Sequence, residues 1–201
     1  MNPKTTPLSQ EIDFQKRVLW LNGALPALLL VLDLFSGRLG ANPPEAIIRT
    51  TGVVALVFLT LSLVVTPLVR YSRWLWIVRH RRWLGLWCFY YALMHWLSYS
   101  IFDKAGDLKE ILADIQKRPF ILLGFLAFIL LIPLAVTSTN EMIKRLGPTR
   151  WKKLHQLTYL IAPLAATHYI LIVKSDLRYP VAFAVVLGVL LLWRWPIKLR
   201  S

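Results

Sequence analysis

Three histidines stand where histidine is costly. His95, His155 and His168 lie inside, or at the lip of, apolar segments long enough to cross a bilayer, and an ionisable side chain at that depth needs a partner and usually marks a function. An imidazole so placed can hydrogen-bond a neighbouring helix, line a water-filled path, or bind a metal. Cys88, the one cysteine, falls in the third apolar segment and reads as a small apolar filler, with a redox or ligand role as the alternative. A single cysteine excludes an internal disulfide and the C-x-x-C-H attachment of a c-type heme.

The segments that must carry these residues follow from hydropathy. Of 201 residues, 57% are hydrophobic and 17% charged, against about 25% charged in an ordinary soluble domain, so a polytopic membrane protein is expected. Apolar runs cover residues 18–35, 51–69, 83–102, 119–137, 154–173 and 179–195. Each approaches the ~20 residues that cross ~30 Å of hydrocarbon as helix. None shows the period-two alternation of a barrel strand, and only helices or closed barrels satisfy their backbone groups in lipid. The expected fold is therefore all-α, a bundle of six transmembrane helices in one domain over residues 1–201. The first run follows Lys16 and Arg17 with no clear A-x-A-like cleavage site after it, and is read as a retained helix rather than a signal peptide.

Charge sets the orientation. The net charge of +14 would suggest nucleic acid in a soluble protein, but its distribution fits a membrane surface instead. With both termini on one side, the polar segments of that side carry 16 Lys and Arg residues and a net +13, while the other side carries 8 and a net +1. Basic residues in short loops mark the cytoplasm, so both termini are expected there, with membrane lipid and no nucleic acid as partner. The third and fifth runs then both start at the cytoplasm. His95 is 12 residues beyond Trp83 and His168 is 14 beyond Leu154, which at ~1.5 Å per residue puts both about 18–21 Å from that boundary. Two histidines at matched depth on two helices are what an axially bis-ligated heme b requires.

His155 lies 13 residues before His168, ~20 Å nearer the cytoplasm along a helix. That spacing could stack a second heme, although the third run offers only Arg81, Arg82 and the preceding His80 at this depth. His155 reads alternatively as an interfacial residue, and His80 as a solvated loop residue. Arg81 and Arg82 could pair with heme propionates or a flavin phosphate, or simply anchor the helix. Pro67 and Pro133 fall late in their runs and are expected to kink them. Residues 103–115 read as a short amphipathic helix on the periplasmic face, covering the bundle or docking a partner.

Several stretches resemble one family: Gly37-Arg38-Leu39-Gly40-Ala41-Asn42-Pro43, Thr66-Pro67-Leu68, the run from Arg81 to Phe89 leading to His95, Arg118-Pro119-Phe120, Thr137-Ser138-Thr139-Asn140, Trp151-Lys152-Lys153-Leu154-His155, and His168-Tyr169. In that order they are similar to the heme-binding membrane subunits of the periplasmic protein-methionine-sulfoxide reductase system, part of the ferric-reductase-like transmembrane group. The resemblance covers nearly the whole chain. It implies a six-helix inner-membrane protein carrying heme b and FMN, which passes electrons to a periplasmic molybdopterin reductase of the MsrP type that reduces methionine sulfoxide in periplasmic proteins. The family's three important histidines fall on His95, His155 and His168. Related NADPH oxidases place two histidines on each of two helices, and here the earlier position on the third run is Arg81, so one bis-histidine heme is expected and a second is left open.

With six residues after Trp195, no nicotinamide-binding domain is expected. Electrons would then come from the quinone pool or a cytosolic flavin reductase. No G-x-G-x-x-G loop is present, so FMN rests on the resemblance alone. The rival readings are a quinol-oxidising cytochrome b subunit for another periplasmic reductase, a heme-free transporter or proton relay, and a structural anchor for a periplasmic protein.

Overall fold

The computed structural model describes residues 7–194, and among them every regular element is helical. Eight α-helices run in chain order: α1 Pro7–Phe35, α2 Pro43–Ser72, α3 Arg81–Ser98, α4 Leu108–Lys117, α5 Pro119–Val136, α6 Asn140–Leu154, α7 Thr158–Ile172 and α8 Arg178–Arg194. A 3₁₀ segment, Leu75–His80, leads into α3, a π-helical turn, Tyr99–Asp103, leaves it, and a second 3₁₀ turn, His155–Leu157, joins α6 to α7. Trp195 and the two termini, on which part of the sixth run and the placement of the ends were read, lie outside the described residues.

The helix starts have local causes. Asn42 accepts from the Glu45 backbone N–H and is followed by Pro43 and Pro44, an N-cap with prolines in the first turn, where a missing N–H costs nothing. Asp107 caps α4 through the Lys109 N–H and Thr139 caps α6 through that of Met142. Helix α6 was not expected, because the sequence reading followed apolar runs and this segment is polar. It bends at Gly147, whose φ of 74° is a left-handed conformation that glycine adopts without steric cost, directly before Pro148.

Among the described residues, three helices are long and apolar enough to cross a membrane: Phe14–Phe35 within α1, Pro43–Ser72 and Pro119–Val136. The other three expected spans are divided differently. The run at 83–102 ends in the π turn, α7 keeps 15 residues because His155 falls in the 3₁₀ turn before it, and α8 has 17 described residues.

Helix α2 pairs extensively with α3, and α5 with α7; α3 meets α5, and α8 closes the ring against α7 and α2. The seam is filled by Leu59, Leu63, Tyr91, Ile161 and Leu187, with small Ala127, Ala162 and Ala166 letting backbones approach. Lipid is as apolar as leucine, so in a membrane such a seam holds by close packing and interhelical hydrogen bonds rather than by transfer from water. Outside it, Leu21, Leu25, Leu28 and Leu29 of α1 and Val181, Val185, Val189 and Leu192 of α8 are exposed, an apolar exterior suited to acyl chains.

Candidate functional site

Matched depth brings His95 and His168 together. Their rings stand 6.1 Å apart between centres with planes crossed at 78°. Each has one nitrogen committed. The His95 Nδ1–H donates to the Ile48 carbonyl of α2 at 2.8 Å, and the His168 Nδ1–H donates to the Phe120 carbonyl of α5 at 2.6 Å. A carbonyl only accepts, so both protons sit on Nδ1, and each Nε2 is the lone-pair nitrogen. Among the described residues, neither Nε2 makes a hydrogen bond. Metal-ligating histidines show this pattern, with the far N–H held by a carbonyl and the near nitrogen facing the ion.

The spacing tests what could sit between them. With an imidazole nitrogen about 2.0 Å from its metal and about 1.2 Å from its own ring centre, two opposed ligands place their centres about 6.4 Å apart. The observed 6.1 Å is close to that separation. Among the described residues, no group of three or more His, Cys, Asp or Glu side chains could hold a bare ion. Two axial nitrogens suffice only for a metal that brings its own equatorial donors, as heme iron does.

Two glycines make room for the rings. A Cβ on Gly52 would fall 2.9 Å from His95 Nδ1, and one on Gly124 would fall 2.8 Å from His168 Nδ1 and Cε1. Sequence reasoning missed both. The available signal was an isolated glycine inside an apolar helical run, which usually has a packing reason, but the partner histidine is distant in sequence.

Toward the start of α3, Trp83, Trp87, Tyr91 and His95 repeat every fourth residue along one face of the helix. Trp20 of α1 packs edge-on to Trp83 at 5.7 Å and to Trp87 at 4.9 Å, and Trp87 meets Tyr91 at 6.0 Å. Cys88, buried beside this column, has 2% exposure and no ligand-type neighbour cluster.

His155 is not brought to the central pair. Its ring stacks on Trp151 at 4.0 Å between centres, and its Nε2 lies 3.3 Å from Thr137 Oγ1. That hydroxyl donates to the Pro133 carbonyl at 2.6 Å, so it accepts from His155 and the proton is on Nε2. Arg81 lies near enough for its charge to act on both His155 and Arg194, and Tyr159 acts in turn on Arg194. Arg194, which the sequence reading did not single out, donates to the Leu63 carbonyl and to Thr66 Oγ1, while its buried Nε has no partner among the described residues. Arg82 donates to Asn140 Oδ1 at 2.5 Å and lies over the Trp83 ring. His80 is buried rather than solvated, its Nε2 3.1 Å from Gln15 Oε1; burial, with the charge of Arg79, pushes it below the usual histidine range. It borders a cleft of about 360 Å³ with Phe14, Val18, Leu19 and Trp76, at the opposite end of α3 from His95.

At the other end, Asp114 of α4 collects Lys104 Nζ at 2.7 Å, Arg118 Nε at 3.3 Å and the Tyr99 hydroxyl at 2.9 Å. The amphipathic helix expected here is α4, with Ile111 and Asp114 buried and Leu108 and Leu112 exposed.

A helical bundle that brings two carbonyl-anchored imidazoles, one on α3 and one on α7, to 6.1 Å between centres defines a class, and residues 51–166 match the model of the ferric reductase like transmembrane component: the chain belongs to the ferric-reductase-like transmembrane family. Within it, the chain is 46% identical over 195 residues to the protein-methionine-sulfoxide reductase heme-binding subunit MsrQ of Herminiimonas arsenicoxydans, covering 94% of this chain and 89% of that one. The proteins of the same name from Caulobacter vibrioides and Rhodospirillum rubrum are 44% and 48% identical, over 88% and 77% of this chain and 84% and 74% of theirs. MsrQ is the group to which the chain belongs. No solved structure matches it.

Proposed function

We propose that the chain is the membrane electron-transfer subunit of a protein-methionine-sulfoxide reductase system, with one b-type heme held by His95 and His168. The observation that carries this is the pair itself: two imidazoles 6.1 Å apart, each with Nδ1–H fixed on a backbone carbonyl and Nε2 free of hydrogen bonds. A heme there supplies reversible one-electron exchange. The chain supplies the rest. Ile48 and Phe120 orient the ligands and raise their basicity, and Phe58, Trp87, Tyr91 and Leu131 exclude water and keep the local dielectric low.

The six apolar runs would all cross the bacterial inner membrane, with α3 and α7 short in regular helix but extended by the adjoining π and 3₁₀ turns. Both termini would face the cytoplasm. Electrons would enter from the quinone pool or a cytosolic flavin reductase and leave to a periplasmic molybdopterin reductase of the MsrP type, on the surface near α4. The cluster of His155, Arg81 and Arg194, with Arg82 beside Asn140, is the place where an anionic group such as FMN phosphate or a propionate finds guanidinium donors. A second heme bound through His155 Nε2 would require that ring to leave Thr137 and shift its proton to Nδ1.

The test is the oxidised and dithionite-reduced visible spectrum of detergent-purified protein, with heme quantified per chain, for wild type and the alanine variants of His95, His155 and His168. A six-coordinate b-type spectrum lost in His95→Ala and His168→Ala is the expected result. Partial heme loss in His155→Ala would add a second site. Heme-free wild-type protein from cells with ample heme supply would overturn the reading in favour of a transporter or anchor.

A further inference from the structure

One device occurs twice in this bundle. On α2 the Ile48 carbonyl takes the His95 Nδ1–H, and four residues on, at Gly52, a Cβ would strike that ring. On α5 the Phe120 carbonyl takes the His168 Nδ1–H, and four residues on, at Gly124, a Cβ would strike the second ring. Residues four apart lie one above the other on a helix face, so each glycine removes the side chain that would stand between an incoming imidazole and the carbonyl it binds. The carbonyl already serves its own helix and uses its second lone pair for the histidine. Each ring is thereby held twice, in position by the hydrogen bond and in plane by contact with bare backbone. The two grips come from different helices, and the planes they impose cross at 78°.

We propose that Ile48 with Gly52, and Phe120 with Gly124, are paired positioning elements that hold the two axial imidazole planes close to perpendicular. This rests on the reading of His95 and His168 as axial ligands. The consequence is electronic. Parallel imidazole planes act on the same iron d orbital, split the set unequally and give a rhombic low-spin ferric signal. Perpendicular planes act equally on two d orbitals, leave them nearly degenerate and give a single signal of large g value. The perpendicular arrangement also changes the relative stability of the ferric and ferrous states, so the reduction potential should follow the planes.

The experiment is low-temperature electron paramagnetic resonance of the heme-loaded full chain, with a redox titration, for wild type, Gly52→Ala and Gly124→Ala. Gly85→Ala and Gly188→Ala serve as controls, since a Cβ at either helical site meets nothing within 4 Å. Wild type and both controls are expected to show the large-g signal and one shared potential. Gly52→Ala and Gly124→Ala are expected to move toward a rhombic signal with a shifted potential. Failure of either to load heme, beside fully loaded controls, supports the steric half of the proposal, and the wild-type signal still decides the angle. A rhombic wild-type signal, or cradle variants indistinguishable from the controls, overturns it. Should His95→Ala or His168→Ala retain the six-coordinate spectrum, the ligand assignment fails instead, and the two failures are separable.

Discussion

The hydroxyl of Tyr91 takes a place in the hydrogen-bond ladder of another helix. It accepts from the Ala27 N–H at 3.0 Å and donates to the Gly23 carbonyl at 2.7 Å, inserting between two groups four residues apart that would otherwise bond each other. Insertion of this kind, with Pro26 alongside, is how a helix bends. It ties α1, which is otherwise mostly exposed, to the core residue Tyr91. Tyr91→Phe should therefore cost only about 1 kcal/mol, because Gly23 and Ala27 can restore their own bond. Gly23→Ala should cost more, about 1–3 kcal/mol as overpacking, since its Cβ would run into the Trp87 indole. Thermal unfolding of the two variants in one detergent measures the order, and a Gly23→Ala protein as stable as wild type would contradict the contact. At this scale the histidines were legible because imidazole is rare at bilayer depth. Gly23, Gly52 and Gly124 were not, because what a missing side chain makes room for is on another helix.

Helix α4 is held to the bundle chiefly by Asp114. The hydrogen bond from Lys104, with those of Tyr99 and the charge of Arg118, keeps its carboxyl below the usual aspartate range despite burial, and Lys104 is held above its own. The signs fix the pH window. A depressed carboxylate contributes above its unfolded value of about 3.9 and is lost as pH falls through the folded value, while a raised lysine contributes below about 10.4 and is lost as pH climbs past its folded value. Anchorage of α4 should thus be constant through neutral pH and fail in acid. A spin label at position 116, on the exposed side, should be immobile at pH 7, mobile once the pH falls below the depressed folded value of Asp114, and mobile at pH 7 in Asp114→Ala. A label equally immobile in that variant would show that Ile111 packing suffices. The amphipathic pattern of 103–115 announced this helix, whereas α6 carries no apolar stripe to announce it. Its signs were the Thr139 cap and the Gly147-Pro148 break, which local turn chemistry reveals and hydropathy does not.

For the whole molecule, the apolar runs were legible because lipid demands about 20 residues of satisfied backbone. Where each helix begins and ends was not, since the 3₁₀ turn at His155 and the π turn after Ser98 depend on packing between helices. Orientation is the property that sequence and bundle together now make testable. The turn carrying Arg79 and the α6 end carrying Lys152 should share the cytoplasmic face, and α4 with Lys109 and the loop with Lys174 should share the periplasmic one, because basic residues resist translocation in short loops. Single cysteines at positions 79, 109, 152 and 174, in a Cys88→Ser background, should divide accordingly. A membrane-impermeant maleimide applied to intact spheroplasts should label 109 and 174 at once, and 79 and 152 only after the membrane is opened. On the proposed function, that division would also set the direction of electron flow, with the His155, Arg81 and Arg194 cluster on the donor side and Asp114 with α4 on the acceptor side. The opposite labelling pattern would reverse that direction while leaving the His95 and His168 pair intact, and would move the docking face for the reductase partner to the α6 end.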